Sequence, residues 1–363
     1  MTAEWVQVFP WLLLIGVFSG LLLGSSFFLF SFNRLLSYLS SRKQRSLLLP
    51  LLLLASLCLF GWLGWWATSK LGWLSPFLLI CCLVISMTHT WRQGLMVQAE
   101  PAYKIEGPKR SILRAVTTRA LQTLYYKVEL AHKLPFPVRI VQISDLHVNE
   151  RLGMDYYQQV LQQVRELQAD ILVSTGDYAS DSSKIGMLED LLQDLSGTLG
   201  SFAVLGNHDY WSDEVEITRV LEESGFQVLS RQSARVALDD KTTLVISGCE
   251  MPWSKIPCQI LSPGAGEISL VLSHSADPIV EFNQAGADLV FTGHYHAGQF
   301  QLPWIGPLVV PSIFGRRFYH GHYRIQKTHL FVSAGVGASI PYVRLYCPPD
   351  IMVVDLFSQK GVD

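Results

Sequence analysis

Charged side chains are scarce in this chain of 363 residues, where Asp, Glu, Lys and Arg together make up 16%. They are missing altogether from residues 5–33, 46–69 and 71–91. Each gap exceeds the roughly 20 residues a helix needs to cross a bilayer. A cleaved signal peptide would account for one such run, not three, and its basic leading segment is lacking. Cysteine is also sparse. Cys58, Cys81 and Cys82 fall inside the apolar runs, and only Cys249, Cys258 and Cys347 remain outside them. An odd number without framework spacing argues against a disulfide scaffold and fits a reducing compartment. A net charge of −2 and a pI near 6.5 argue against a general nucleic-acid binder. No internal repeat stands out.

The uncharged runs predict a transmembrane region over residues 1–91, with spans at about 8–32, 47–67 and 71–91. Only Thr68, Ser69 and Lys70 separate the last two. Gly16, Gly20 and Gly24 recur every fourth residue, the pattern of a close-packing helix face. Trp62, Trp65, Trp66 and Trp73 cluster near Lys70, as an interfacial belt would. Arg34, Arg42, Lys43 and Arg45 lie in one loop with no acid, and a basic linker follows over 92–137. By the positive-inside rule the remainder, 138–363, is expected in the cytoplasm, tethered to an inner or plasma membrane. The linker's basic residues suit contact with anionic headgroups or simple solvation equally well.

Five short blocks stand out in the second half: Asp145-Leu146-His147, Gly176-Asp177, Gly206-Asn207-His208-Asp209, His274 and Gly293-His294-Tyr295-His296. They offer carboxylate oxygen, amide oxygen and imidazole nitrogen, and no thiolate. Such donors favour Mn, Fe, Zn, Co or Ni over a cysteine-held structural zinc. A lone Asp-x-His or Gly-Asp is usually a turn or a cap, so the weight rests on the joint occurrence. Each block also follows a β-prone run: 139–144, 171–174, 202–205, 268–272 and 289–291. Five strands thus deliver the donors from their C-terminal ends, where α/β sheets build sites. Between them, Tyr157, Val160, Leu161, Val164 and Leu167 fall at helical spacing, and Ser212 is placed to cap a second helix. Short β-prone runs over 226–273 suit a second sheet.

In order and wording the blocks resemble the calcineurin-like metallophosphoesterases, whose pattern is DxH, GD, GNHD/E, H, GHxH. That resemblance implies an α/β fold of four layers, two mixed β-sheets face to face with helices outside. It implies two divalent ions: Asp145, His147, Asp177 and His296 would hold one, and Asp177, Asn207, His274 and His294 the other. His208 would protonate or stabilise the leaving oxygen, and Asp209 would orient or polarise it.

Beyond the metal blocks, residues 285–299, Gly306 to Ser312, Ser333 to Gly337 and the Arg344 to Ile351 segment resemble membrane-associated members of that superfamily. These include membrane-anchored UDP-2,3-diacylglucosamine hydrolases, which cleave a pyrophosphate at the inner leaflet. A second hydrolase type for that step carries Arg after the motif Asn, where His208 stands here. Tyr295 and Ala297 depart from the usual Thr and Gly, and are expected to alter the substrate mouth. Arg316, Arg317 and Arg344, with His320, His322 and Arg324, are candidates to neutralise substrate phosphate. The expected partners are the bilayer and a phosphate-containing, lipid-linked substrate, with no nucleic acid. A protein or nucleotide phosphatase is the alternative enzyme. A metal-bound scaffold is the non-catalytic alternative, disfavoured because no ligand of the pattern is lost.

Overall fold

A computed structural model of the chain describes residues 3–38, 42–71, 78–82, 99–109, 111–230, 232–254, 257–307 and 309–359. It divides into two units, one of residues 1–97 with 313–317, the other of 98–312 with 318–363.

The first unit contains α1 (Ala3–Tyr38) and α2 (Arg42–Leu71). They pack through the glycine face read from the sequence. A Cβ added at Gly20 would run into the Phe60 carbonyl, and one at Gly64 into the Gly16 carbonyl. Only glycine lets the two backbones approach this closely. Pro50–Leu71 is long and apolar enough to cross a membrane, whereas Pro10–Ser25 is a shorter apolar stretch. The three residues expected to separate spans two and three instead continue α2. There the Thr68 hydroxyl donates to the Gly64 carbonyl and the Ser69 hydroxyl to that of Trp66. Of the third expected span, only Leu71 and residues 78–82, which are helical, fall within the described residues.

The second unit is built on two mixed sheets. Its larger sheet has seven strands: β1 (Lys104–Glu106), β2 (Gln122–Leu130), β3 (Val138–Ile143), β4 (Ile171–Ser174), β5 (Gly200–Ala203), β6 (Gln227–Val228) and β15 (Asp350–Ser358). Their order is β1-β2-β15-β3-β4-β5-β6. The second sheet takes β7 (Ser233–Ala237), β8 (Thr243–Cys249), β9 (Glu267–Ser273), β10 (Leu289–Thr292), β13 (Gly321–Ile325) and β14 (Thr328–Val332), in the order β13-β14-β10-β9-β8-β7. β11 (Gln301–Leu302) and β12 (Gly306–Pro307) form a separate hairpin.

Strand alternation explains the layering. Ile140, Ile171 and Phe202 of the larger sheet share one buried cluster with Ile246, Leu270 and Phe291 of the other. Val141, Leu172 and Ala203 point the opposite way, into a cluster with Tyr157, Val160, Leu161 and Val164 of α3 (Met154–Glu166), Leu188 of α4 (Ile185–Leu192) and Val220 of α6 (Glu214–Glu223). The helix over 155–168 therefore forms with its expected apolar face inward. The cap of α6 is Asp213, one residue beyond the expected Ser212; its carboxylate accepts the Glu216 N–H at 3.1 Å.

The boundary expected between a linker and a domain at residues 137 and 138 is corrected. β2 pairs along its whole length with β15 and is largely buried. The basic residues of 92–137 had masked an apolar strand, Thr123-Leu124-Tyr125-Tyr126-Lys127-Val128, that belongs to the core sheet.

Candidate metal centre

Six of the seven expected ligands come together at the C-terminal edge of the two sheets, and the seventh, Asn207, lies buried in the adjoining loop. β3 runs into Asp145 and His147, β4 into Asp177 and β5 into Asn207 at the start of α5 (Asn207–Trp211). β9 delivers His274, and β10 delivers His294 and His296. Asp145, His147, Asp177 and His296 form one buried group; Asp177, His274 and His294 form another. His147 Nε2 lies 3.0 Å from His296 Nε2, and His294 Nδ1 lies 3.1 Å from His274 Nε2. Asp177 joins the groups: its Oδ2 is 3.3 Å from His147 Nε2 and 3.2 Å from His274 Nε2.

The donor set fits divalent metal. Asp145 Oδ1 and Asn207 Oδ1 are buried yet accept no hydrogen bond among the described residues. A buried acceptor left this way costs about 1–3 kcal/mol, which coordination would offset. The backbone bends to bring the donors together. Asp145, His147, Asp177, His294 and His296 all have positive φ, between 42° and 71°. Strain of this kind, concentrated on ligands, marks a functional site. Two glycines make room. A Cβ at Gly206 would strike the Asp177 carboxylate, and one at Gly293 the Asp145 carboxylate.

Burial alone would raise the pKa of Asp177, but His274, His208 and hydrogen bonds from His147 and His274 hold it well below the usual carboxylate range. Burial, aided by the His147 and Arg344 charges, holds His296 well below the ordinary histidine value, in the neutral form that ligation requires.

His208 is half-buried, edge-on to the His147 ring with centroids 4.6 Å apart, and its N–H donates to Asp177 Oδ1 at 2.8 Å. Its imidazole thus lies against His147 and belongs to neither ligand group, while the bond to Asp177 comes from its backbone. Asp209 takes a different place from the one expected. It is fully buried, and its carboxylate accepts the backbone N–H groups of Asp177, Tyr178 and Gly206 at 2.7–2.9 Å. Its role is to pin the Asp177 loop to the Asn207 loop. Burial and the nearby Asp177 raise its pKa to about 7.

Other expectations are corrected by burial. Arg344 is inaccessible to solvent; its guanidinium donates to the carbonyls of Gly337, Ala334, Gly335 and His296 and lies 3.1 Å from His296 Nδ1. It braces His296 and the loops around it from the buried side. Tyr295 is buried too, away from any mouth: its hydroxyl donates to Asp277 Oδ1 at 2.9 Å and accepts the Ala276 N–H at 3.0 Å. Ala297, also buried, takes φ 50°, a conformation that glycine adopts more readily. Arg316 is half-buried and Arg317 exposed, within the segment that groups with the first unit. His320 pairs with Asp350 at 2.6 Å, and Arg324 is exposed. His322 lies 2.9 Å from His329 and 3.3 Å from Glu100, a hydrogen-bonded chain remote in sequence from the ligands.

β8 contributes what the motifs did not reveal. Glu250, just past its end, accepts the Leu205 N–H and the Tyr210 hydroxyl, each at 2.6 Å, and so braces the Asn207 loop. Trp253 packs edge-on against His274 and His294, with ring centroids 5.3 and 4.9 Å away. The available signal was the strand itself, which ends at the same edge as its neighbours. Cys249 and Cys258 flank this loop and are joined as a disulfide, with Cα atoms 5.0 Å apart. One disulfide is not the scaffold that the cysteine count argued against, but the cysteine argument for a reducing compartment falls with it.

Residues 138–298 match the calcineurin-like phosphoesterase family. The chain is similar to the uncharacterized metallophosphoesterase YkuE of Bacillus subtilis, 26% identical over 227 residues, covering 61% of this chain and 79% of that protein. It is similar to phosphodiesterase YaeI of Escherichia coli, 26% identical over 241 residues, covering 62% and 87%. A third relative is the UDP-2,3-diacylglucosamine pyrophosphatase LpxG of Chlamydia muridarum, 26% identical over 283 residues, covering 60% and 83%.

Proposed function

We propose that this chain, a metal-dependent hydrolase carrying a calcineurin-like metallophosphoesterase domain, is membrane-anchored and cleaves a phosphoester or pyrophosphate bond with water as nucleophile. The observation that carries the reading is Asp177, whose one oxygen stands within 3.3 Å of a histidine in each ligand group. A carboxylate so placed suits two cations roughly 3.5–4 Å apart, which together supply Lewis acidity and a water ionisable near neutral pH. Asp145, His147 and His296 would complete one position; Asn207, His274 and His294 the other. His208, half-buried beside them, is the group placed to give a proton to the leaving oxygen. Asp209 and Arg344 hold the loops that carry these residues.

For the substrate, a lipid-linked pyrophosphate of the UDP-2,3-diacylglucosamine kind is the leading candidate. Its support is the likeness to LpxG together with the apolar helix Pro50–Leu71. Purified full-length chain with Mn²⁺ should be assayed against UDP-linked lipid, phosphatidyl lipid, nucleotide and phosphoprotein. Turnover confined to the UDP-linked lipid supports the reading. Preference for nucleotides or phosphoproteins replaces the substrate but keeps the chemistry, and no turnover on any of the four removes both.

A further inference from the structure

The catalytic unit has an outward apolar lip one residue layer from a metal ligand. Val116 and Phe300 both bridge to Leu345, the first antiparallel and the second parallel. Residues opposite one another across a ladder share a face. That face is open: Val116 is 58% exposed, and Phe300 and Leu345 are half-buried. The next residues along, Thr117, Arg344 and Gln301, turn inward and are buried, and Arg344 reaches His296. An exposed sheet face is ordinarily polar, so this one reverses the usual pattern. On the same two stretches of chain, Leu113, three residues before Val116, is 97% exposed, and Trp304, four after Phe300, stands 86% exposed at the tip of the β11–β12 hairpin.

Charge distinguishes the same region. No Asp or Glu occurs in residues 107–128 or 289–349, although the chain has 30 acidic residues. Lys109 and Arg114, both exposed, flank the apolar side chains. Aromatic and aliphatic tips among basic residues, with carboxylates excluded, are what an anionic headgroup layer accepts. A second copy of the chain suits this face poorly, because a two-fold contact would set like charges against each other.

We propose that this lip, formed by Leu113, Val116, Phe300, Trp304 and Leu345, docks the catalytic unit on an anionic lipid bilayer. A lipid headgroup then meets the metal centre while its acyl chains stay in the membrane. That consequence rests on the phosphoesterase reading; the docking does not.

The test uses the full chain in nanodiscs of phosphatidylcholine, with and without phosphatidylglycerol, followed by amide hydrogen exchange. In the anionic discs, residues 111–117 and 302–306 should exchange about 30-fold more slowly, the size expected from two basic side chains at such a surface. A Lys109→Gln/Arg114→Gln double variant should lose that difference, and Leu113→Ser/Trp304→Ser should weaken the protection in the anionic discs, each while keeping its metal content, which shows that it is folded. Equal exchange in the two kinds of disc overturns the proposal. So does slowing that follows the number of copies per disc and not lipid charge, since the occupant is then a second chain. Hydrolysis of bis(p-nitrophenyl) phosphate with Mn²⁺ in the same discs reads the phosphoesterase chemistry separately, so the two ideas can fail independently.

Discussion

The Arg344 guanidinium lies 3.1 Å from His296 Nδ1 and has no exposed surface. A permanent cation therefore stands directly behind a metal ligand, and its fork is spent on backbone carbonyls of the two loops that flank it. Arg344→Met strands several buried acceptors at about 1–3 kcal/mol each, so a loss of at least about 3 kcal/mol in stability is expected. The Mn²⁺ needed for half-maximal activity should rise about 10-fold or more, as for other groups that orient a ligand from behind. Urea unfolding and a Mn²⁺ titration check this. A selective rise in KM, with stability and metal requirement unchanged, would restore Arg344 to the substrate side.

Asp177 serves both ligand groups, which makes it the most sensitive single position. Asp177→Asn should lose most of both metals and nearly all turnover, because an amide cannot bridge two cations as a carboxylate does. Metal content and rate have to be measured on the same preparation. Two metals retained at full rate would remove Asp177 from the bridge.

How far these roles could be read in advance depends on whether a residue acts through its own chemistry or through its surroundings. The ligands were legible because Asp145, His147, Asp177, Asn207, His274, His294 and His296 sit in short blocks, each behind a β-prone run. The two sheets were implied by the resemblance to the metallophosphoesterases, and the alternation of strands and helices supports them. β2 was not legible, since Lys and Arg around it read as a solvated linker while its apolar residues pair with β15, more than 220 residues later. Asp209 and Arg344 carry charges that suggest catalysis, and only burial shows that both are spent on backbone groups. Trp253 and the Cys249–Cys258 pair have no local pattern at all; their positions arise from the loop that leaves β8.

His208 lies against the His147 ring and outside both ligand groups. His208→Ala should keep its metals and lose about 10²–10⁴-fold in kcat on a substrate with a poor leaving group. On bis(p-nitrophenyl) phosphate, whose aryl leaving group needs little protonation, the loss should shrink. Equal losses on the two substrates would point instead to positioning of the nucleophile.

His322 and His329 give the second unit a predictable acid response. Burial, with the neighbouring His329, pushes His322 down to about 3, and burial with Arg324 pushes His329 down to about 4. Unfolded, both titrate near 6.5, so between these values the unfolded chain binds more protons and stability falls as pH falls. The loss should begin below about pH 6.5 and level off near pH 3. Urea midpoints across that range should slope less steeply in His322→Gln/His329→Gln than in the parent. Parallel slopes would show that the pair is not held neutral in the folded state.

Orientation decides between substrates, and two features of the chain pull in opposite directions. Arg34, Arg42, Lys43 and Arg45 precede the second apolar run, and only Lys70 lies near its other end. Positive charge beside short spans is the dominant orienting signal, which favours a cytoplasmic catalytic unit. The Cys249–Cys258 disulfide favours an oxidising side, because cytosolic thiols are kept reduced. Charge acts on every chain during insertion, whereas a single cysteine pair closes only after the chain is placed, so the cytoplasmic side is expected. Reporter fusions at Lys70 and at the C-terminus, one active only inside and one only outside, measure it directly. An outside C-terminus with the disulfide formed would reverse the assignment and remove a UDP-linked lipid as substrate, since nucleotide-linked precursors are made on the cytoplasmic face.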